Sequence, residues 1–281
     1  MSVKTAVLAA LAMVAFAANS ILCRLALGAG LIDPASFTAI RILSGAAMLA
    51  ILLVVRDRRF VWRTPDLGGA TALFIYMAGF SFAYVTLDAG VGALVLFGCV
   101  QITMFAVAVQ GGERFGAAAL GGLALAIAGL FVLVAPGAEA APDLLGAVSM
   151  AAAGIAWGAF TLAGRGRADP LAATGGSFLA VAPAVVLLWL FCAPQTEVSG
   201  PGLALAIASG ALASGVGYAI WYAALRALAA SHAAIIQLSV PALAALGGVL
   251  LLGEALTARL AIASLTTLAG IFIFVRARRA T

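Results

Sequence analysis

Rings and amides inside long apolar runs are the residues best equipped for chemistry in this chain. Tyr76, Phe80 and Tyr84 recur every four residues, so on a helix they share one face. Tyr218, Trp221 and Tyr222 do the same in a later run, and Trp157 adds a ring between them. An aromatic lining binds a flat or apolar group and attracts an ammonium through cation–π contact, worth about 0.5–2 kcal/mol. Near the ends of membrane spans the same residue types form an interfacial belt. That alternative stays open for Tyr84 and Tyr222, whereas Tyr76, Phe80, Tyr218 and Trp157 lie deeper. Asn19, Gln101 and Gln237 are amides in apolar surroundings. Either they bond across helices or they face a wet cavity. An amide offers both a donor and an acceptor, which suits a zwitterion.

The other polar residues narrow the chemistry. Pro183 and Pro241 interrupt helical bonding inside their runs, as hinges, as sources of free carbonyls, or as static kinks. Arg41 sits early in its run, where it could snorkel outward, pair with Asp33, or catch a carboxylate at a pore mouth. No Asp or Glu falls in mid-run; Glu113 and Glu254 precede apolar helices, where a carboxylate suits the positive helix N-terminus. His232 is the one histidine and reads as a surface residue. There is no GxxxxGK[ST], no HExxH and no Cys–His spacing, so neither an ATP motor nor a metal site is expected. Cys23, Cys99 and Cys192 read as small buried thiols. The expectation is no enzyme and no cofactor.

Composition says what must position these groups. Of 281 residues, 65% are hydrophobic and 9% charged, 32 are Gly, and mean hydropathy is +1.21. A soluble domain is about a quarter charged. This excludes a soluble enzyme, a disordered chain and a secreted disulfide scaffold, and leaves a polytopic membrane protein. A spanning helix takes roughly 20 apolar residues, so the length holds about ten. The runs are continuous, not alternating, which favours helices over barrel strands. They fall at 5–24, 35–56, 67–87, 91–110, 116–134, 144–164, 171–192, 203–225, 233–252 and 259–275. Residues 1–18 have a signal-peptide-like layout, but the apolar run continues to Leu22, which fits a first span better.

Charge sets orientation. With the N-terminus in the cytoplasm, Lys4, Arg56, Arg58, Arg59, Arg63, Arg114, Arg165, Arg167, Arg226, Arg276, Arg278 and Arg279 lie inside. Only Arg24, Arg41 and Arg259 fall toward the other side, so 12 of the 15 basic residues favour both ends inside. The net charge of +5 therefore needs no nucleic acid to explain it.

The chain also repeats itself. Gly112-Glu113 matches Gly253-Glu254, and the seven residues from Ala128 match those from Ala269, at one offset of 141 (253 minus 112). That offset pairs Phe16 with Trp157, Arg24 with Arg165, and Val100 with Pro241. Asp33-Pro34 pairs with Asp169-Pro170, and Gly79 with Gly217, at slightly shorter offsets. Each copy has five spans, and an odd number forces the copies to cross in opposite directions. Inverted repeats are the architecture of secondary transporters. Val100 standing opposite Pro241 predicts a straighter fourth helix in the first copy. GxxxG at Gly154–Gly158 and looser versions at Gly68, Gly122 and Gly210 read as close-packing faces.

The paired Gly-Glu before an Ala-Gly-aromatic helix, the early Arg41, and Pro241 thirteen residues before Glu254 resemble the EamA-type repeats of the drug/metabolite transporter superfamily. The resemblance covers nearly the whole chain. The segments Tyr76–Tyr84 and Phe97–Gln101, with the overall layout, are most similar to ten-helix exporters of the YddG kind, and so bring Phe97 into the candidate site. The resemblance implies an all-α membrane protein of two inverted five-helix repeats, 1–137 and 138–281. It implies export of small amphipathic metabolites, aromatic or apolar amino acids first, by alternating access through a central cavity. Exporters of drugs or of sugar or nucleotide precursors, and a passive pore, are the alternatives. Expected partners are a small-molecule substrate and the lipid bilayer, not nucleic acid. A monomer is expected, multi-pass in a bacterial inner membrane with both termini cytoplasmic.

Overall fold

A computed structural model describes residues 2–58, 67–135, 141–164, 167–192, 198–228 and 230–277. Arg59, Arg63, Arg165, Arg278 and Arg279 of the charge argument lie outside the described residues. Ten helical segments match the ten expected spans. The first five are α1 (Val3–Gly28), α2 (Pro34–Asp57), α3 (Leu67–Ala83), α4 (Ala89–Gln110) and α5 (Ala117–Val134). The second five are α6 (Leu144–Ala163), α7 (Pro170–Cys192), α8 (Gly200–Leu225), α9 (Ala230–Gln237 with Ser239–Leu252) and α10 (Ala258–Ala277). All but the 17-residue α3 are long and apolar enough to cross a bilayer. Large apolar side chains such as Phe131, Phe191 and Leu251 face outward, as a lipid environment requires.

Short polar residues start the helices where the sequence supplies them. Asp33 accepts from Ser36 N at 2.8 Å and Asp169 from Ala172 N at 3.1 Å, each with Pro at the next position. The repeated Asp-Pro is thus a repeated helix start, each cap contributing about 1 kcal/mol. Asp143 and Ser199 cap α6 and α8 in the same way.

Small residues decide which helices touch. A Cβ on Gly129 would lie 2.7 Å from Thr267 N, and one on Gly270 would lie 2.9 Å from Ala126 Cα. These two contacts are exchanged by the 141-residue offset, because 129 maps to 270 and 126 to 267. The Gly122–Gly270 and Gly129–Ala263 contacts are exchanged likewise. So α5 and α10 pack antiparallel in a self-complementary way, which lets their backbones meet without apolar side chains between them. On α6, Gly154 meets Leu96 O and Gly158 meets Thr103, both on α4, so the GxxxG face is an α4–α6 contact. Helices α1, α3, α4, α6, α8 and α9 surround the centre, while α2 packs on α7 through Gly45 against Phe178.

Several expectations change. Cys23 is buried, but Cys192, the last residue of α7, is exposed, as are its neighbours Leu190 and Phe191. Glu113 and Glu254 do not cap the helices they precede: α5 begins after Gly116, and Thr257 Oγ1 accepts from Leu260 N at 3.1 Å to start α10. Between Ala208 and Val216, α8 is a π-helix, which the sequence reading did not foresee. As expected, α4 is uninterrupted while α9 breaks at Leu238, three residues before Pro241. By contrast α7 runs through Pro183, whose ring is exposed.

Candidate functional site: a central cavity closed at one end

The centre of the molecule holds a narrow hollow, with about 420 Å³ of atom-free space when the open solvent at its mouth is counted. Phe16, Asn19 and Ser20 of α1 line it, with Tyr76 and Phe80 of α3 and Leu96 and Phe97 of α4. Opposite stand Trp157 of α6, Ala213, Ser214 and Tyr218 of α8, and Gln237 of α9. The wall is built from helices that the repeat makes equivalent. Phe16 with Trp157 and Leu96 with Gln237 are 141 apart; Tyr76 with Ser214 and Phe80 with Tyr218 are 138 apart.

The rings form one ladder. Tyr84 meets Phe80 at 4.7 Å between centroids and Phe80 meets Tyr76 at 5.6 Å. Tyr76 meets Trp157 at 4.7 Å, Trp157 stacks on Tyr218 at 5.5 Å, and Tyr218 stacks on Tyr222 at 6.4 Å. The i,i+4 spacing on α3 and α8 aims these rings at one another, and Trp157 joins the two rows. Tyr84 and Tyr222, the two ends, are repeat partners. Neither belongs to a surface belt: Tyr84 is fully buried and its hydroxyl donates to Ala89 O at 3.2 Å, and the Tyr222 and Thr174 hydroxyls share a bond of 2.9 Å. Because adjacent rings touch, the hollow is narrow.

Of the sequence candidates, Asn19, Tyr76, Phe80, Phe97, Trp157, Tyr218 and Gln237 meet at the cavity. Tyr84 and Tyr222 extend the ladder beyond it. Gln101 is buried on α4 a turn past Phe97, and Trp221 packs edge-on against Phe16 at 6.1 Å; both lie outside the wall. Phe16, Ser20, Leu96, Ala213 and Ser214 were not singled out as binding residues. Three of them carry a signal the sequence does hold, since each is the repeat partner of a candidate or, for Phe16, had been paired with Trp157 outright.

Polar groups on the wall are partly committed. Ser209 of the π-helix donates to Asn19 Oδ1 at 2.5 Å, tying α8 to α1. Ser214 Oγ is buried and has no partner. Pro241 has no N–H to offer the carbonyl of Gln237, four residues back, so Pro241 frees an acceptor beside the hollow. Arg41 is wholly buried behind Tyr76 and Phe80: it neither snorkels nor pairs with Asp33, because α2 places it two turns in from its capped start and among rings.

One end of the central helices is fastened. Both oxygens of Glu254 accept from Ala89 N at 3.0 Å, so Glu254 caps α4 rather than its own following helix. Arg24 Nε donates to Glu254 at 3.3 Å, its Nη2 to Asp88 at 3.1 Å and its Nη1 to Val85 O at 3.1 Å. The α1 end, the α3–α4 turn and the α9–α10 turn are therefore one latch. Below it a Cβ on Gly90 would lie 2.7 Å from Ala245 Cβ, so α4 and α9 are pressed together. Burial pushes the Glu254 carboxyl above its usual range, outweighing the Ala89 N–H and Arg24. At the end carrying the termini, Glu113, the repeat partner of Glu254, is exposed.

Comparison with known proteins identifies this architecture. Residues 144–276 match the model of the EamA-like transporter family. An uncharacterized protein of Pseudomonas aeruginosa is 53% identical over 278 residues, spanning 98% of this chain and 96% of that protein. A crystal structure of a protein 22% identical to this chain superposes with a TM-score of 0.66, covering 94% of this chain and 97% of the other, and so shares its fold. With its apolar helices long enough to cross a bilayer, the chain is a multi-pass membrane protein whose residues 144–276 form a domain of the EamA-like transporter family.

Proposed function

We propose that the protein exports small amphipathic metabolites, aromatic and apolar amino acids foremost, by alternating access between the halves 1–137 and 138–281. The observation that carries this reading is the cavity's position among repeat-equivalent helices, with one end latched by Arg24, Asp88 and Glu254. In an inverted repeat the two halves exchange conformations, so a latch at one end has its counterpart opening at the other. The excess of basic residues at the end carrying the termini supports cytoplasmic termini, and with them a latch on the outer face of a bacterial inner membrane. The arrangement is then the outward-closed one. The aromatic ladder offers apolar faces, and Asn19, Gln237 and the freed carbonyl beside Pro241 offer donors and acceptors.

The test is counterflow in proteoliposomes with a panel of amino acids, with and without a pH gradient. Saturable uptake that is accelerated by substrate on the far side supports a carrier. Flux that neither saturates nor shows this acceleration indicates a pore, and no flux for any compound overturns the reading. Trp157→Ala joined to Tyr218→Ala removes the middle of the ladder and is expected to lower uptake at least tenfold at normal insertion. Unchanged uptake would remove the cavity from the pathway.

A further inference from the structure

Arg41 is 0% exposed, yet among the described residues it forms no ion pair. One nitrogen, Nη2, donates to the Tyr76 hydroxyl at 3.1 Å. Nε and Nη1 have no partner. The guanidinium carbon lies 4.6 Å from the Phe80 ring centroid and 5.5 Å from that of Tyr76, which offsets only part of the cost of burying a charge. Arg cannot escape that cost by losing its proton. The fold does not demand the charge either. The offset of 136 set by Asp33-Pro34 and Asp169-Pro170 places Ser177 at the equivalent point of α7, where a buried hydroxyl suffices.

The two rings that cover Arg41 are themselves cavity wall. Ser214, also on the cavity wall, holds a second buried polar group without a partner among the described residues. Ser214 is the repeat partner of Tyr76, so the hollow is lined by a free hydroxyl and by the ring whose hydroxyl holds Arg41. Among the described residues no Asp or Glu lines the cavity. Donors in excess, one fixed positive charge and no acidic side chain describe a receptor for an anion beside an aromatic slot.

We propose that Arg41 receives the carboxylate of the cargo, and that the substrate class is an organic monocarboxylate with an aromatic or branched apolar body. This rests on the cavity being the transport site proposed above. The carboxylate accepts a charge-assisted hydrogen bond from Nε or from Nη1, which lie on different edges of the guanidinium, with Ser214 Oγ as a further donor. Trp157 and Tyr218 hold the apolar body. The amino group has no charged partner in the cavity, so it is dispensable for recognition. Acids without an amino group are carried, and amides of amino acids are not.

Three probes separate the outcomes: phenylalanine, 3-phenylpropionate and phenylalaninamide. Each is tested for flux in proteoliposomes and for thermal stabilisation of the full-length protein in detergent. The two acids are expected to move within fivefold of one another and the amide at least 20-fold more slowly. Arg41→Gln is expected to fold with unchanged or higher Tm, to lose the stabilisation by 3-phenylpropionate, and to lose acid flux at least 50-fold, with Arg41→Lys in between. Equal handling of acid and amide by the unaltered protein overturns the site and leaves the transport reading standing. Stabilisation by acids without flux keeps the site and overturns the transport reading. An Arg41→Gln protein that fails to fold, or that carries acids normally, assigns Arg41 a structural role and overturns the proposal.

Discussion

Glu254 reaches back to the N-terminus of α4, and this gives the latch a sign with respect to pH. Its carboxyl is raised chiefly by burial; Ala89 N–H and Arg24 lower it, and Asp88 raises it further. A raised carboxyl binds its proton more readily latched than exposed to water. Linkage then makes protons favour the latched form, a stabilisation present in acid and lost as pH rises through the raised value. A thiol probe at Leu96→Cys, reacted from the Arg24 face, is therefore predicted to label faster as pH rises. Glu254→Gln is predicted to flatten that profile; a profile unchanged by the variant would separate Glu254 from the latch. The ring ladder was legible in the sequence, because i,i+4 spacing is a local property of α3 and α8. The latch was not: Glu254 and Ala89 are 165 residues apart, and a Glu before a helix looks like that helix's own cap. Arg41 read as a charge near a span end that could snorkel or pair with Asp33, eight residues upstream, and only the fold shows that it is wholly buried and does not meet Asp33.

Helix boundaries followed the apolar runs within a few residues, and the interruption of α9 followed Pro241. The π-helix of α8 left no trace beyond a run of Gly, Ala and Ser, which also describes an ordinary packing face. Its packing is tertiary: Gly210 sits against the α2 backbone at Arg41, and a Cβ on Gly215 would lie 2.9 Å from Met48 Cγ. Two helices make testable commitments. Pro241→Ala returns an N–H to the Gln237 carbonyl. It is expected to raise thermal stability while slowing turnover at least tenfold; stability and rate both unchanged would make the break a static kink. Gly129→Val forces a side chain onto the Thr267 backbone and is expected to cost about 1–3 kcal/mol, seen as a lower Tm in detergent. An unchanged Tm would mean that α5 and α10 are not held at this distance.

At the scale of the whole molecule, the repeat explains why the cavity is central and why its two ends differ. Equivalent helices of the two halves line the hollow together, and under the proposed alternating access a change that opens one end of the set closes the other. The 141-residue offset read from the sequence relates these helices, and the contacts between α5 and α10 exchange under it, which the sequence alone did not foretell. It did not reveal which end is shut, because Arg24 with Glu254 and their repeat partners look alike until their surroundings are known. Gly90 and Ala245 lie on opposite halves just inside the latch, close enough to be bridged as cysteines with a slight parting of α4 and α9. The most direct measurement is counterflow by the Gly90→Cys/Ala245→Cys protein, before oxidation, after oxidation and after reduction. Alternating access predicts that the bridged protein stops exchanging cargo, still labels at the cavity from the terminal end, and recovers on reduction. Undiminished exchange with the bridge fully formed would contradict it.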